Sequence, residues 1–224
     1  MSELHQLLDE AYSCSRCPKT YGFSISPNGS YFKFPPIIGA SSKTDILFIG
    51  INPRRSDTNL RLHDHLMTSR QAFDDLSANR VKGEAYITQS GDESHYRDHL
   101  EIIRLVYGNL RPFESCAAAT ELFHCASERS NLLPCRESPC AAYFLPKVLS
   151  VIQPKTIVAV GSQVFSYFKA HVNSSRICNE IFVRSCNRNI PVIKMPHPGN
   201  PNLSATERFA EIAACVNKLR PWLI

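Results

Sequence analysis

Four short apolar runs punctuate the 224-residue chain, each closed by a glycine or by a loop rich in proline and polar residues. They are Asp45-Ile-Leu-Phe-Ile-Gly50, Thr120-Glu-Leu-Phe-His124, Thr156-Ile-Val-Ala-Val160 before Gly161, and Ile190-Pro-Val-Ile-Lys-Met195. Runs of this length and composition read as strands buried on both faces of a parallel sheet. Helical patterns separate them, near residues 95–108, 139–152, 162–171 and 204–220. The last is the clearest. Ser204 and Glu207 have capping-box spacing, and Phe209, Ile212, Ala213, Val216 and Leu219 follow on one face. Strands alternating with amphipathic helices predict an open, parallel α/β sheet. Ligands of such sheets bind beyond the carboxyl ends of the strands. That rule singles out the residues just after Ile49, Cys125, Val160 and Met195.

The rest of the chain is less patterned. Residues 2–11 read as a short helix leading into Cys14, and residues 18–44 as a loop-like segment with a short strand, rich in aromatics from Tyr21 to Phe34. Residues 56–94 are polar and weakly periodic, with a helix expected near 61–78. No repeat or linker-like run divides the chain, so a single domain over residues 1–224 is expected.

Composition narrows the class. With 43% hydrophobic and 20% charged residues, a disordered or fibrous chain is excluded. No apolar run approaches the ~18 residues a membrane helix needs. The start, MSELHQLLDE, lacks a signal-peptide layout. The expectation is a protein of the cytosol or nucleus, the prokaryotic cytosol or nucleoid first, monomeric and without a membrane partner. The net charge of +5 permits a polyanionic partner without requiring one.

Two loops stand at the predicted sheet edge. In Gly50-Ile51-Asn52-Pro53-Arg54-Arg55, Pro53 keeps Asn52 out of helical geometry, and Gly50 allows close approach of a ligand or backbone. In Pro196-His197-Pro198-Gly199-Asn200-Pro201-Asn202, two prolines restrict the backbone of His197, and Gly199 frees N–H groups for a ligand.

Nine cysteines are too few for a disulfide scaffold, and their number is odd. Cys14 and Cys17 form a CxxC, which serves zinc, iron–sulfur or redox chemistry alike. Cys125, Cys135 and Cys140 are the available partners. Cys116, Cys178, Cys186 and Cys215 have no comparable spacing and read as core or surface residues.

The order of these motifs is similar to that of the uracil-DNA glycosylase superfamily, and specifically of its iron–sulfur branch (types 4 and 5). The motifs that carry the resemblance are the CxxC, the GINP of Gly50 to Pro53, Cys125, and Cys140-AAYFLPKVLSVIQPKTIVAVG-Ser162. His197-Pro-Gly-Asn completes the set. The GINP form resembles the mismatch-specific and single-strand-selective glycosylases. The resemblance implies a three-layer sandwich whose central, mostly parallel sheet has four strands, with helices on both faces. It implies a DNA glycosylase of base excision repair, a 4Fe–4S cluster on Cys14, Cys17, Cys125 and Cys140, and DNA as partner. Asn52 would orient the attacking water, and His197 would bond the carbonyl oxygen of the base. Gly50, Ile51, Pro53, Glu121, Pro198, Asn200 and Leu203 would line the substrate site, with Leu203 as a wedge into the stack left by the flipped base. Tyr86, Tyr96 and the aromatics from Tyr31 to Phe34 are candidates for stacking on that base. Arg54, Arg55, Arg61 and Arg70, with Arg184, Arg188 and Lys194, would flank the two loops and track phosphates.

The chain departs from the branch at Glu121, where the family carries an Asn that reads the uracil edge. An amide donates and accepts, whereas an ionised carboxylate only accepts. Glu121 would accept from uracil N3–H but repel O4, so it better suits a base edge rich in N–H groups, or must be protonated. Arg54 and Arg55 also replace small residues of the family. Two other readings follow: a DNA-binding protein on the same scaffold without base excision, and a zinc-stapled α/β hydrolase of a small nucleotide.

Overall fold

The computed structural model describes residues 2–17, 23, 37–39, 42–51, 93–108, 111–125, 138–171, 174–177, 180–185, 187–198, 200 and 202–223. Among them seven strands form one mixed sheet: β1 (Ile38–Gly39), β2 (Ile46–Gly50), β3 (Ala117–Glu121), β4 (Thr156–Val160), β5 (Ser174–Ile177), β6 (Glu180–Ser185) and β7 (Arg188–Met195). Their order across the sheet is β1-β3-β2-β4-β7-β6-β5. The pairs β3–β2, β2–β4 and β4–β7 are parallel. β1 joins one margin antiparallel, and β6 and β5 extend the other. The expected four-stranded sheet is therefore corrected to a mixed sheet of seven strands.

Three of the added strands left weak traces in sequence. β1 has two residues, and β5 is polar. The β6–β7 hairpin pairs Ser185 with Arg188 around a turn containing Asn187, whose φ of 61° lies in the left-handed region that Asn tolerates. The strand expected at residues 120–124 lies instead at Ala117–Glu121. Its alanines carry little apolar signal, while Leu122 and Phe123, which drew the prediction, are buried just past the strand end.

Six helices are described: α1 (Glu3–Ser13), α2 (Glu93–Tyr107), α3 (Phe113–Cys116), α4 (Pro139–Ile152), α5 (Ser162–His171) and α6 (Ala205–Leu223). Three of their N-termini have a local cause. The Ser2 hydroxyl caps α1 by accepting from His5 N–H. Ser138 caps α4, with Pro139 in the first turn. The α6 capping box is formed, Ser204 N–H donating to Glu207 Oε2 at 2.8 Å and Glu207 N–H to Ser204 Oγ at 3.3 Å.

Strand alternation sorts the core into two slabs. Leu47, Ile49, Ile157 and Ala159 face a cluster completed by α1, α4 and α5. Ile46, Phe48, Val158 and Val160 face the opposite cluster, completed by α2, α3 and α6. Helices thus cover both faces of the sheet, as a sheet apolar on both sides requires. Phe209, expected on the buried face of α6, is instead 56% exposed, while Ile212, Cys215, Val216 and Leu219 are buried. The buried stripe of the helix therefore begins one turn later than its sequence pattern. Among the described residues no helix is long and apolar enough to cross a membrane. The helix expected near 61–78 lies outside the described residues.

Candidate active site

The carboxyl ends of β3, β2, β4 and β7 share one edge of the sheet. Gly50 stands opposite Glu121, and Val160 opposite Met195. A Cβ at Gly50 would stand 2.8 Å from Cδ and 2.9 Å from Oε1 of Glu121. The absence of a side chain at Gly50 therefore lets the Glu121 carboxyl lie directly on the backbone of β2, and any Cβ there would push that carboxyl aside. Glu121 is half-buried, with its Oε2 buried. The parallel ladder continues beyond the strands: Leu122 N–H donates to Gly50 O at 3.0 Å and Phe123 N–H to Ile51 O at 2.9 Å. These bonds fix the first loop as far as Ile51. Asn52 and Pro53 lie outside the described residues.

The second loop leaves β7 beside the end of β4. Gly161 has φ of 91° and donates its N–H to Met195 O at 2.8 Å. A Cβ there would meet His197 Cβ at 3.5 Å, so His197 rests on Gly161. His197 O accepts from Asn200 N–H at 2.9 Å, and Asn200 Oδ1 accepts from Asn202 N–H at 3.1 Å. Arg208 of α6 braces this turn, donating to Pro198 O and, at 3.5 Å, to Asn200 O. Asp98 of α2, which is buried, holds Arg208 from behind at 3.8 Å. Burial pushes the Asp98 carboxyl above its ordinary value, against the pull of Arg208 and Arg97. Neither Arg208 nor Asp98 was singled out from sequence. A charged residue on an amphipathic helix reads as solvated face, and only the tertiary fold brings it to the loop.

Of the sequence-predicted site residues, Gly50, Ile51 and Glu121 meet at one strand end. His197, Pro198, Asn200 and Leu203 share the braced loop, and Leu203 is half-buried. Tyr86, Tyr31 to Phe34, and Arg54, Arg55, Arg61 and Arg70 lie outside the described residues, as does the side chain of Tyr96. Arg184 and Arg188 do not flank the His197 loop. They lie at the β6–β7 hairpin, Arg184 opposite Asn189 and Arg188 opposite Ser185, where Arg188 donates to Gln153 O at 3.2 Å. The seven steps of β7 separate that end from Met195 by ~23 Å at the usual strand rise.

The four candidate cysteine ligands lie on the same side of the sheet. Cys14 follows α1, and Cys140 lies in the first turn of α4. Cys17, Cys125 and Cys140 are buried in a single core cluster, against which Cys14 packs. The Cys140 sulfur accepts from His124 N–H at 3.4 Å. The donor set suits the group: four thiols in an apolar shell are the ligands that iron–sulfur clusters and structural zinc both use. Among the described residues, though, no three His, Cys, Asp or Glu side chains stand in an arrangement that would hold a metal ion. Burial lowers the neighbouring His124 to about 4, so its ring is neutral. Cys116 and Cys215 belong to the opposite core slab, where burial pushes their thiols up to about 11 and about 12. Cys135, Cys178 and Cys186 lie outside the described residues.

Comparison with protein-family models matches residues 36–220 to the model described as Uracil DNA glycosylase superfamily. Comparison with curated proteins gives no match.

Proposed function

This chain belongs to the uracil DNA glycosylase superfamily, and we propose that it is a base-excision DNA glycosylase acting on a flipped, deaminated or otherwise damaged base. The observation that carries the reading is the convergence of Glu121 and His197 on the carboxyl edge of the sheet, each seated on a strand-end glycine.

The chemistry asks three things of the site. Cleavage of the N-glycosidic bond leaves negative charge on the departing base and positive charge on the sugar. His197, held by Gly161 beneath and the braced turn behind, donates to the carbonyl oxygen on which that charge grows. A donor in this role is typically worth about 10²–10³-fold in rate. Asn52, next after the fixed Ile51, orients water; an amide is no base, and a dissociative path does not need one. Glu121 meets the Watson–Crick edge of the base. As a carboxylate it accepts N–H donors, which favours bases such as hypoxanthine or xanthine over uracil, unless burial keeps it protonated.

Cys14, Cys17, Cys125 and Cys140 would hold a 4Fe–4S cluster, which when bound supplies a brace between α1, the segment after β3, and α4. Zinc is the alternative for the same four thiols. Glu121 lies four residues before Cys125, so such a brace would stiffen the segment that carries the base reader.

The test uses purified protein and oligonucleotides carrying uracil, hypoxanthine, xanthine or a thymine mismatch. The reading expects an abasic product from at least one. Glu121 favours a second reading, a DNA-binding protein on this scaffold without excision. That reading expects salt-dependent binding and no abasic product from any of the four.

A further inference from the structure

Beside the His197 loop, α2 and α6 diverge to leave a groove of about 480 Å³. Leu203, at the end of that loop, forms part of its wall, and Phe209 of α6 forms another. Phe209 extends the buried stripe of Ile212, Cys215 and Val216 by one turn, yet it is 56% exposed. It is the only large hydrophobic side chain with such exposure among the described residues. The groove's two carboxylates already face cations: Asp98 faces Arg208 at 3.8 Å, and Glu101 takes two bonds from Arg104, at 2.8 and 2.6 Å. Arg97, exposed at the rim, and Arg208 balance the two carboxylates of the lining, so the wall is formally neutral with Arg97 as its exposed cation.

We propose that this groove receives a second, unstacked nucleobase from the strand being repaired, with Phe209 as its stacking face and Arg97 at its phosphate. The proposal rests on the glycosylase reading above and extends it to a neighbour of the excised nucleotide. Flipping one base takes one stacking partner from each neighbour, which lowers the cost of unstacking the next, and the groove begins at Leu203 of the same loop. An exposed aromatic ring beside a cation is the usual platform for such a base, because stacking tolerates any sequence. The volume falls in the range of small-ligand sites. The groove is also coupled to the loop: Arg208 touches both Asp98 and the carbonyls of Pro198 and Asn200.

The experiment measures Kd by fluorescence anisotropy with oligonucleotides whose lesion nucleotide resists cleavage (a 2′-fluoro sugar). In a matched series, each of the two nucleotides on either side of the lesion is made abasic in turn. Phe209→Ala is expected to weaken binding about 5- to 150-fold, with Phe209→Trp restoring it. Removing the base at one flanking position should weaken the wild type similarly and add nothing further in Phe209→Ala. Arg97→Ala should reduce the salt dependence of binding. Phe209 is exposed, so its variants should melt like the wild type. Wild-type affinity in Phe209→Ala, or a loss that does not depend on any flanking base, would overturn the groove assignment while leaving the glycosylase reading intact. A change of oligomeric state in Phe209→Ala would assign the groove to a second copy of the chain and overturn it too. Failure of the wild type to bind any of these DNAs would overturn both.

Discussion

The carboxyl of Glu121 lies flat against the backbone of Gly50, its Cδ 2.8 Å from where a Cβ would stand. The side chain proposed to meet the base and the strand that launches the first loop thus pack directly against each other. Changing either residue must disturb the other.

Gly50→Ala forces the Glu121 carboxyl aside. Overpacking of this kind costs about 1–3 kcal/mol. The double variant Gly50→Ala, Glu121→Ala should recover most of that loss, a coupling readable as non-additive shifts in urea midpoint. Simple additivity would mean that the two side-chain positions do not compete for space.

Glu121→Asn returns both a donor and an acceptor to the base edge. Excision of uracil relative to hypoxanthine should rise by roughly tenfold or more, the weight of one well-placed hydrogen bond to a polar edge. The ratio of single-turnover rates on the two substrates measures this. An unchanged ratio would separate Glu121 from base reading.

At the opposite end of the sheet, Asp45 accepts from Tyr107 and Arg111 at 2.7 Å and pairs with Lys155 at 3.1 Å. Burial alone would raise this carboxyl, but the bonds from Tyr107 and Lys155 and the charges of Lys155 and Arg111 outweigh it and hold the group below 3.8. A depressed folded value means stability that is fully present above the unfolded value and lost as pH falls through the folded one. Asp45→Asn should therefore destabilise the protein at pH 7 by about 1–3 kcal/mol. The difference from wild type should begin to shrink as pH falls through the ordinary carboxylate value and vanish only below the lower folded one, in thermal melts across the acid range.

Protein prepared without oxygen should be brown, with iron and sulfide in 4Fe–4S proportion. Cys140→Ser should lose the iron, and Cys215→Ser, in the other core slab, should keep it. A colourless protein containing zinc would assign the four thiols to that metal instead.

The parts of this fold that could be read from sequence are those whose local signal agrees with their final environment. β2, β4 and β7 are aliphatic and bounded by glycine or proline, and they form where expected. β3 did not reveal its position, because three alanines occupy a place that only its strand neighbours define. The strand-end rule located His197 without any contact information, while Glu121 came only from the resemblance, because the rule placed the end of the second strand at Cys125 rather than at Glu121. It had no means of finding Arg208 or Asp98, whose roles arise from helices far apart in the chain. Phe209 misled for a related reason: its helical register is that of a core residue, yet it is 56% exposed, and burial depends on neighbours that register does not specify.

The central claim is that His197 stabilises a departing base, and excision by wild type and His197→Ala tests it most directly. Single-turnover assays on the best of the four lesion substrates should show abasic product from the wild type and a rate about 10²–10³-fold lower from the variant. Melting temperature and DNA affinity should stay near wild type, since a general loss of fold or binding would not single out the chemical step. Equal rates from the two proteins, or no abasic product from wild-type protein that binds the DNA, would contradict it.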